Sequence, residues 1–95
     1  MPRNTQSRMF FYVYVLRSLK DGCYYVGYTH DLRRRLEEHN TGKSFATKSR
    51  KPFKLLYYEA CLNKDDAEQR EKYLKTTTGR RFITKRLKHY LYLTR

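Results

Sequence analysis

Phe10-Phe11-Tyr12-Val13-Tyr14-Val15-Leu16 is the stretch that decides the fold. Its apolar residues fall on both alternating faces, as in a strand covered on two sides, so it is predicted to lie in the middle of a sheet. Working outward, Asp21-Gly22 is a dipeptide favoured in tight hairpin turns because both positions tolerate positive φ, and Cys23 to Tyr28 (CYYVGY) reads as the return strand. Phe53 to Cys61 (FKLLYYEAC) is a third strand, again rich in apolar and aromatic residues. Leu32 to His39 has a helical composition, with Asp31 as N-cap and Asn40-Thr41-Gly42 as the stop. Asn63 caps a second helix over residues 64 to 75, with Asp65 and Asp66 in the first turn and Lys72 and Lys75 in the last, the polarity a helix dipole favours. Thr76-Thr77-Thr78-Gly79 breaks that helix. A final helix, about Arg81 to Leu91, aligns Ile83, Leu87 and Tyr90-Leu91 on one stripe. Residues 1 to 8 are polar and read as a flexible tail. With no repeat and no linker, residues 9 to 95 are expected to form one α/β domain.

Composition bounds the function. The 95 residues carry 22 Lys and Arg against nine Asp and Glu, a formal charge of +13. Such an excess opposes compaction by self-repulsion and makes most sense if the partner is a polyanion, nucleic acid first. The ten Tyr and five Phe argue against disorder, which is poor in aromatics. The longest apolar run, Met9 to Leu16, is far short of the roughly twenty residues that a spanning helix needs, so no membrane partner is expected. Cys23 and Cys61 are too few for a disulfide scaffold and lack metal-ligand spacing, which suits reduced thiols in the cytoplasm. The charge is concentrated in two segments. Residues 41 to 54 hold Lys43, Lys48, Arg50, Lys51 and Lys54 with no acid, and beyond Glu71 there are Lys and Arg only, among them Arg80, Arg81 and Lys85. Either segment could neutralise phosphates, releasing counterions, or form a solvated basic face.

Three places could carry chemistry. In the hairpin, a two-residue loop pairs positions whose numbers sum to an odd value, which puts Tyr14 and Tyr25 on one face with Gly27; a three-residue loop would separate the two tyrosines. Gly27 leaves room there for a ligand or backbone. In the first helix, Leu32 and Leu36 define the buried stripe, Arg34 points to solvent, and Arg35 and His39 lie together on one flank, where they could grip a phosphate. Arg33 occupies the other flank. In the second helix, Ala67, Glu71 and Leu74 share one side, so Glu71 faces the core, where a carboxylate is costly unless paired or metal-bound. Pairing with Lys75 at i,i+4 is the plainer alternative.

These residues, taken together, resemble the GIY-YIG nuclease superfamily, most closely its small standalone YhbQ-like, UPF0213-type members. Tyr12-Val13-Tyr14 and Tyr25-Val26-Gly27 stand for the two name motifs, Arg35 follows Tyr25 by ten residues, His39 comes four later, and Glu71 falls in the helix AEQREKYLK. Tyr12 occupies the place of the first motif's glycine. An asparagine that follows the glutamate helix in other members has no counterpart, because Thr76-Thr77-Thr78-Gly79-Arg80 fills that region. The resemblance implies a small three-stranded antiparallel sheet flanked by helices, an α/β fold of the α+β kind. It also implies a metal-dependent endonuclease hydrolysing phosphodiester bonds in DNA, with structure-selective nicking as one form. Glu71 would hold one Mg²⁺ or Mn²⁺, Tyr14 would accept a proton from the attacking water, Tyr25 would position water or phosphate, Arg35 would stabilise phosphoryl charge, and His39 would be a second phosphate contact or proton carrier. Arg33, Lys43, Lys48, Arg50, Lys51, Arg80, Arg81 and Lys85 would hold the nucleic-acid backbone, DNA first and RNA second, with specificity supplied by a partner protein. The alternative is a non-catalytic basic nucleic-acid-binding module with the same fold.

Overall fold

A computed structural model describes residues 9–94; the tail expected at residues 1 to 8 lies outside the described residues. Three antiparallel strands, β1 (Phe11–Ser18), β2 (Tyr24–Thr29) and β3 (Phe53–Cys61), are ordered β2-β1-β3. The doubly apolar strand is therefore the central one, as its pattern required. Val13 and Val15 point to one side and Tyr14 and Leu16 to the other, and all four are at most 1% exposed. Between β1 and β2 four residues, Leu19 to Gly22, close the turn, with Ser18 N–H donating to Cys23 O at 2.9 Å and Gly22 N–H to Ser18 O at 2.9 Å. Four residues have the same parity as two, so Leu16 pairs with Tyr25 and Tyr14 with Gly27, and both tyrosines share a face.

Helix α1 (Leu32–Thr41) covers the Tyr14 face. Asp31 accepts the Arg34 N–H, and Gly42, in the left-handed conformation at φ 82°, donates to Glu38 O and stops the helix. Helix α2 (Lys64–Leu74), capped by the Asn63 side chain through the Asp65 and Asp66 N–H groups, covers the Val13 face together with α3 (Thr77–Arg86). Leu74 and Ile83 are fully buried there, each contributing about 1.5–3 kcal/mol by leaving water. Arg70 ties α2 to β3 through two 2.9 Å bonds to the Glu59 carboxylate, which also accepts from Tyr57 OH at 2.9 Å. Among the described residues no helix is long and apolar enough to cross a membrane.

The C-terminal helix departs from its expected course. It begins at Thr77 because Thr76, besides ending α2, accepts the Gly79 N–H and caps a new helix. It stops at Arg86 and resumes as α4 (Lys88–Leu93), with Leu87 outside helical geometry at φ −107°, ψ 20°. Gly79 lies fully in the α2–α3 junction: a Cβ there would overlap the Tyr73 carbonyl oxygen and stand 2.5 Å from Leu74 Cα. Gly79→Ala is thus expected to destabilise the domain by about 3 kcal/mol, the upper range for overpacking. Thr78→Ala, one residue away and exposed, should stay within about 0.5 kcal/mol. Urea titration of both variants tests this; equal midpoints would remove the close-approach account.

Candidate active site

Tyr14 leaves β1 on the α1 side and is 1% exposed. Its partner across the ladder is Gly27, where a Cβ would meet the phenol oxygen at 2.5 Å and Cζ at 2.7 Å. The room that Gly27 leaves is therefore filled by Tyr14 itself rather than kept for a ligand. Tyr25 stands on the same face, its ring centroid 6.4 Å from that of Tyr14. The Tyr14 hydroxyl lies 2.9 Å from His39 Nε2, and His39 Nδ1 lies 2.7 Å from Thr47 Oγ1. The imidazole is edge-on between Tyr25 and Phe53, at 5.0 and 5.8 Å between centroids.

Helical spacing does place Arg35 and His39 together, but not as an exposed pair. His39 is completely buried, and both its ring nitrogens are occupied inside the protein. Only the proton-carrier half of its expected role agrees with that placement. Arg35 remains partly exposed; its guanidinium donates to Glu38 Oε1 at 2.9 Å and Ser44 Oγ at 3.3 Å and is close enough to the Tyr14 oxygen for its hydrogen bonding and charge to act there. A guanidinium can only donate. Tyr14 oxygen therefore accepts from Arg35, and in the tautomer whose Nδ1–H donates to Thr47 Oγ1 the Tyr14 proton goes to His39 Nε2.

Burial sets the protonation of this chain. It pushes the Tyr14 phenol up to about 12, outweighing the lowering by Arg35's hydrogen bond and charge. It pushes His39 down to about 4, with the Arg35 charge acting in the same direction and Glu38 weakly against it. At neutral pH Tyr14 is a phenol and His39 a neutral imidazole. Arg35 stays cationic: burial works against its charge, and Glu38 and Tyr14 more than offset it.

Glu71 is half-buried, as its wheel position demanded, and sits 3.2 Å from Lys75 in the i,i+4 pair. Its negative charge acts on Tyr14 and Tyr28, which places the carboxylate within electrostatic reach of the Tyr14 cluster. Among the described residues no three His, Cys, Asp or Glu side chains gather as a metal cluster. The basic residues divide. Arg33, Lys43, Lys48 and Lys51 are exposed on or beside α1, whereas Arg80, Arg81 and Lys85 are exposed on α3, across the sheet. Lys48 stands 5.0 Å over the Phe45 ring. Arg50 is committed to the fold: it donates to Asp21 Oδ2 at 2.8 Å and Cys23 O at 3.1 Å, locking the β1–β2 turn. Thr47, Ser44 and Glu38 were not singled out in the sequence. Thr47 and Ser44 sit in a segment marked only by its positive charge, where no spacing rule ties them to His39 or Arg35, whereas Glu38 stands at i+3 from Arg35 on the same helix, a spacing that could have found it.

Comparison with known proteins follows the same lines. Residues 10–90 match the profile of the GIY-YIG catalytic domain. A UPF0213 protein of Streptococcus pneumoniae serotype 4 is 48% identical over 65 residues, 67% of this chain and 65% of that protein. A UPF0213 protein of Streptococcus agalactiae serotype V is 46% identical over 77% of this chain and 83% of its own length. The solution NMR structure of a UPF0213 protein from Bacillus halodurans superposes with a TM-score of 0.51 at 35% identity, covering 81% of this chain and 84% of that one.

The lowered His39 gives the domain a pH signature. The unfolded chain takes up a proton near pH 6.5 and the folded one near 4, so stability is complete above about 6.5 and falls as pH drops through that window. The loss from this residue is on the order of 3 kcal/mol. Urea unfolding of the parent and His39→Gln at pH 7, 5.5 and 4 isolates it; parallel pH trends in the two proteins would show that His39 is not the titrating group.

Proposed function

Because the chain belongs to the GIY-YIG catalytic domain family, a family of nucleases, we propose that it is a metal-dependent endonuclease hydrolysing phosphodiester bonds in DNA. The observation that carries this reading is the buried sequence of bonds from Arg35 through Tyr14 and His39 to Thr47, with a cation and a proton path at one end. Glu71 is a single half-buried carboxylate on the same domain. A hard cation that keeps several of its waters asks for only one or two protein carboxylates, so this donor suits one Mg²⁺ or Mn²⁺. When bound, that ion supplies positive charge for the leaving 3′ oxygen.

The chain's own residues do the rest. Arg35 offers its remaining N–H groups to a phosphoryl oxygen and stabilises the charge that grows there. Tyr14 takes a proton from the attacking water while passing its own to His39 Nε2: the water O–H and the Tyr14 O–H bonds break, a new Tyr14 O–H and an Nε2–H bond form, and the water oxygen bonds to phosphorus as the bond to the 3′ oxygen breaks. The bound phosphodiester's negative charge raises His39 from its low resting value and favours it as holder of that proton. Thr47 accepts from Nδ1–H and steadies the resulting imidazolium. Tyr25 borders the same space and orients water or phosphate. Lys43, Lys48, Lys51, Arg80, Arg81 and Lys85 hold the backbone without reading sequence. The reduced thiols Cys23 and Cys61 suit action in the cytoplasm.

One observation favours binding without turnover: Glu71 and Arg35 are each already paired with a side chain of their own helix. Incubating purified protein with supercoiled, branched and flap DNA and with RNA, in Mg²⁺, Mn²⁺ or chelator, separates the two. Cleavage is expected with either ion and not in chelator, and Arg35→Ala or Glu71→Ala should lower it 100-fold or more while binding persists. Salt-sensitive binding with no cleavage of any substrate would establish the binding module instead. The relay starts from a phenol near 12 and an imidazole near 4, both in their working states throughout pH 6 to 9, so with chemistry rate-limiting the cleavage rate should be flat over that range, and Tyr14→Phe should remove the activity. A climb of about tenfold per pH unit would make tyrosinate the base and overturn the relay to His39.

A further inference from the structure

A second feature occupies the Tyr14 face, beyond the end of the buried chain. Tyr58 on β3 stands directly opposite Tyr14 in the ladder and is 51% exposed, a large ring that the core does not cover. Its ring meets that of Tyr12 edge-on at 5.7 Å, and Phe10, 45% exposed, continues the aromatic surface 6.5 Å from Tyr12. Tyr12 and Tyr58 form one wall of a groove of about 460 Å³ whose floor is Leu32, Leu36 and Leu55. Its polar rim is Arg33, His30 and Asp31. Asp31 is spent on capping α1, and Arg33 is exposed with no ion pair among the described residues.

We propose that this groove stacks an unpaired nucleobase of the strand bound at Tyr14, so that the substrate is single-stranded or locally unstacked nucleic acid. This rests on the nuclease reading only for the identity of the strand. Three observations select that occupant. Every base has a π-face that an aromatic wall accepts regardless of sequence. The free guanidinium on the rim, in a chain of formal charge +13, is complementary to the phosphate that accompanies the base. Tyr12 is two residues from Tyr14 on the same strand, a separation of about 7 Å, so a nucleotide next to the bound phosphate reaches the groove. In duplex DNA the bases are stacked on one another and turned inward, and their faces are closed to Tyr58.

The test is binding of a fluorescein-labelled oligothymidylate and of a duplex of equal length, by anisotropy in chelator at fixed salt, so that cleavage plays no part. Tyr58→Ala should weaken oligothymidylate binding about tenfold, the stacking worth of one base, and leave duplex binding within about twofold. Tyr58→Phe should retain parent affinity, since the ring and not the hydroxyl is used. Arg33→Ala should weaken both and flatten the salt dependence by about one phosphate. Unfolding midpoints matching the parent's keep the Tyr58 result from being a folding defect. Equal loss on both ligands, or none, overturns the proposal. So does a Tyr58→Ala change confined to sedimentation behaviour, which would make the groove a contact between copies of the chain. Cleavage in Mg²⁺ is scored separately. A selective tenfold loss without cleavage leaves the groove standing and the nuclease reading failed, and cleavage in Mg²⁺ together with an unselective or absent binding loss does the reverse.

Discussion

A strand buried on both sides must send successive side chains into different environments, and β1 turns that constraint into a division of labour. Val13 and Val15 enter an aliphatic core with Leu74 and Ile83. Tyr14 and Leu16, one position out of step, enter the layer beneath α1. The Tyr14 hydroxyl cannot be taken there without partners, because a buried polar group left unbonded costs more than the bond is worth. His39, Thr47 and Arg35 meet that requirement. The same bonds that make the phenol tolerable inside the protein are those that would carry a proton through it.

Burial has opposite consequences for the two ends of this chain. It keeps the tyrosine protonated and the histidine unprotonated, so neither is ready to react alone at neutral pH. Arg35 links both states, lowering Tyr14 and lowering His39 by its charge. An anion brought to Arg35 would relieve its effect on His39 first, since that effect is purely Coulombic.

The other face holds α2 in place. Arg70 is fastened to Glu59 and lies 4.7 Å from the Phe82 ring centroid, which fixes the rotation of α2 and, with it, the direction of the next residue, Glu71. In the proposed function a carboxylate acting beside a cluster on a different element would need such a clamp. The glycine at position 79 lets α3 approach α2 closely enough to bury Ile83.

Most of the secondary structure was legible in the residues. The doubly apolar strand, the caps at Asp31 and Asn63 and the stop at Gly42 are local rules, decided by side chains a few positions apart. The parity that unites Tyr14 and Tyr25 followed from loop length modulo two, and survived a turn of four residues rather than two. The ordered tyrosines, Arg35, His39 and Glu71 carried the resemblance to the family that the match over residues 10–90 then showed. What local rules cannot express is which distant atoms share a volume. Thr76 both ended one helix and began another. Arg50 looked like one more phosphate-binding cation until Asp21 and the turn carbonyls took its donors. His39 moved from rim to interior because the loop carrying Thr47 folds back over it, and Tyr58 came to flank Tyr14 through a register between strands more than forty residues apart. The sequence determined element types, charge and which residues are candidates for the site, all set by neighbours in the chain. Burial, and therefore protonation and access, belonged to the tertiary structure, because desolvation depends on what the rest of the molecule excludes from each site.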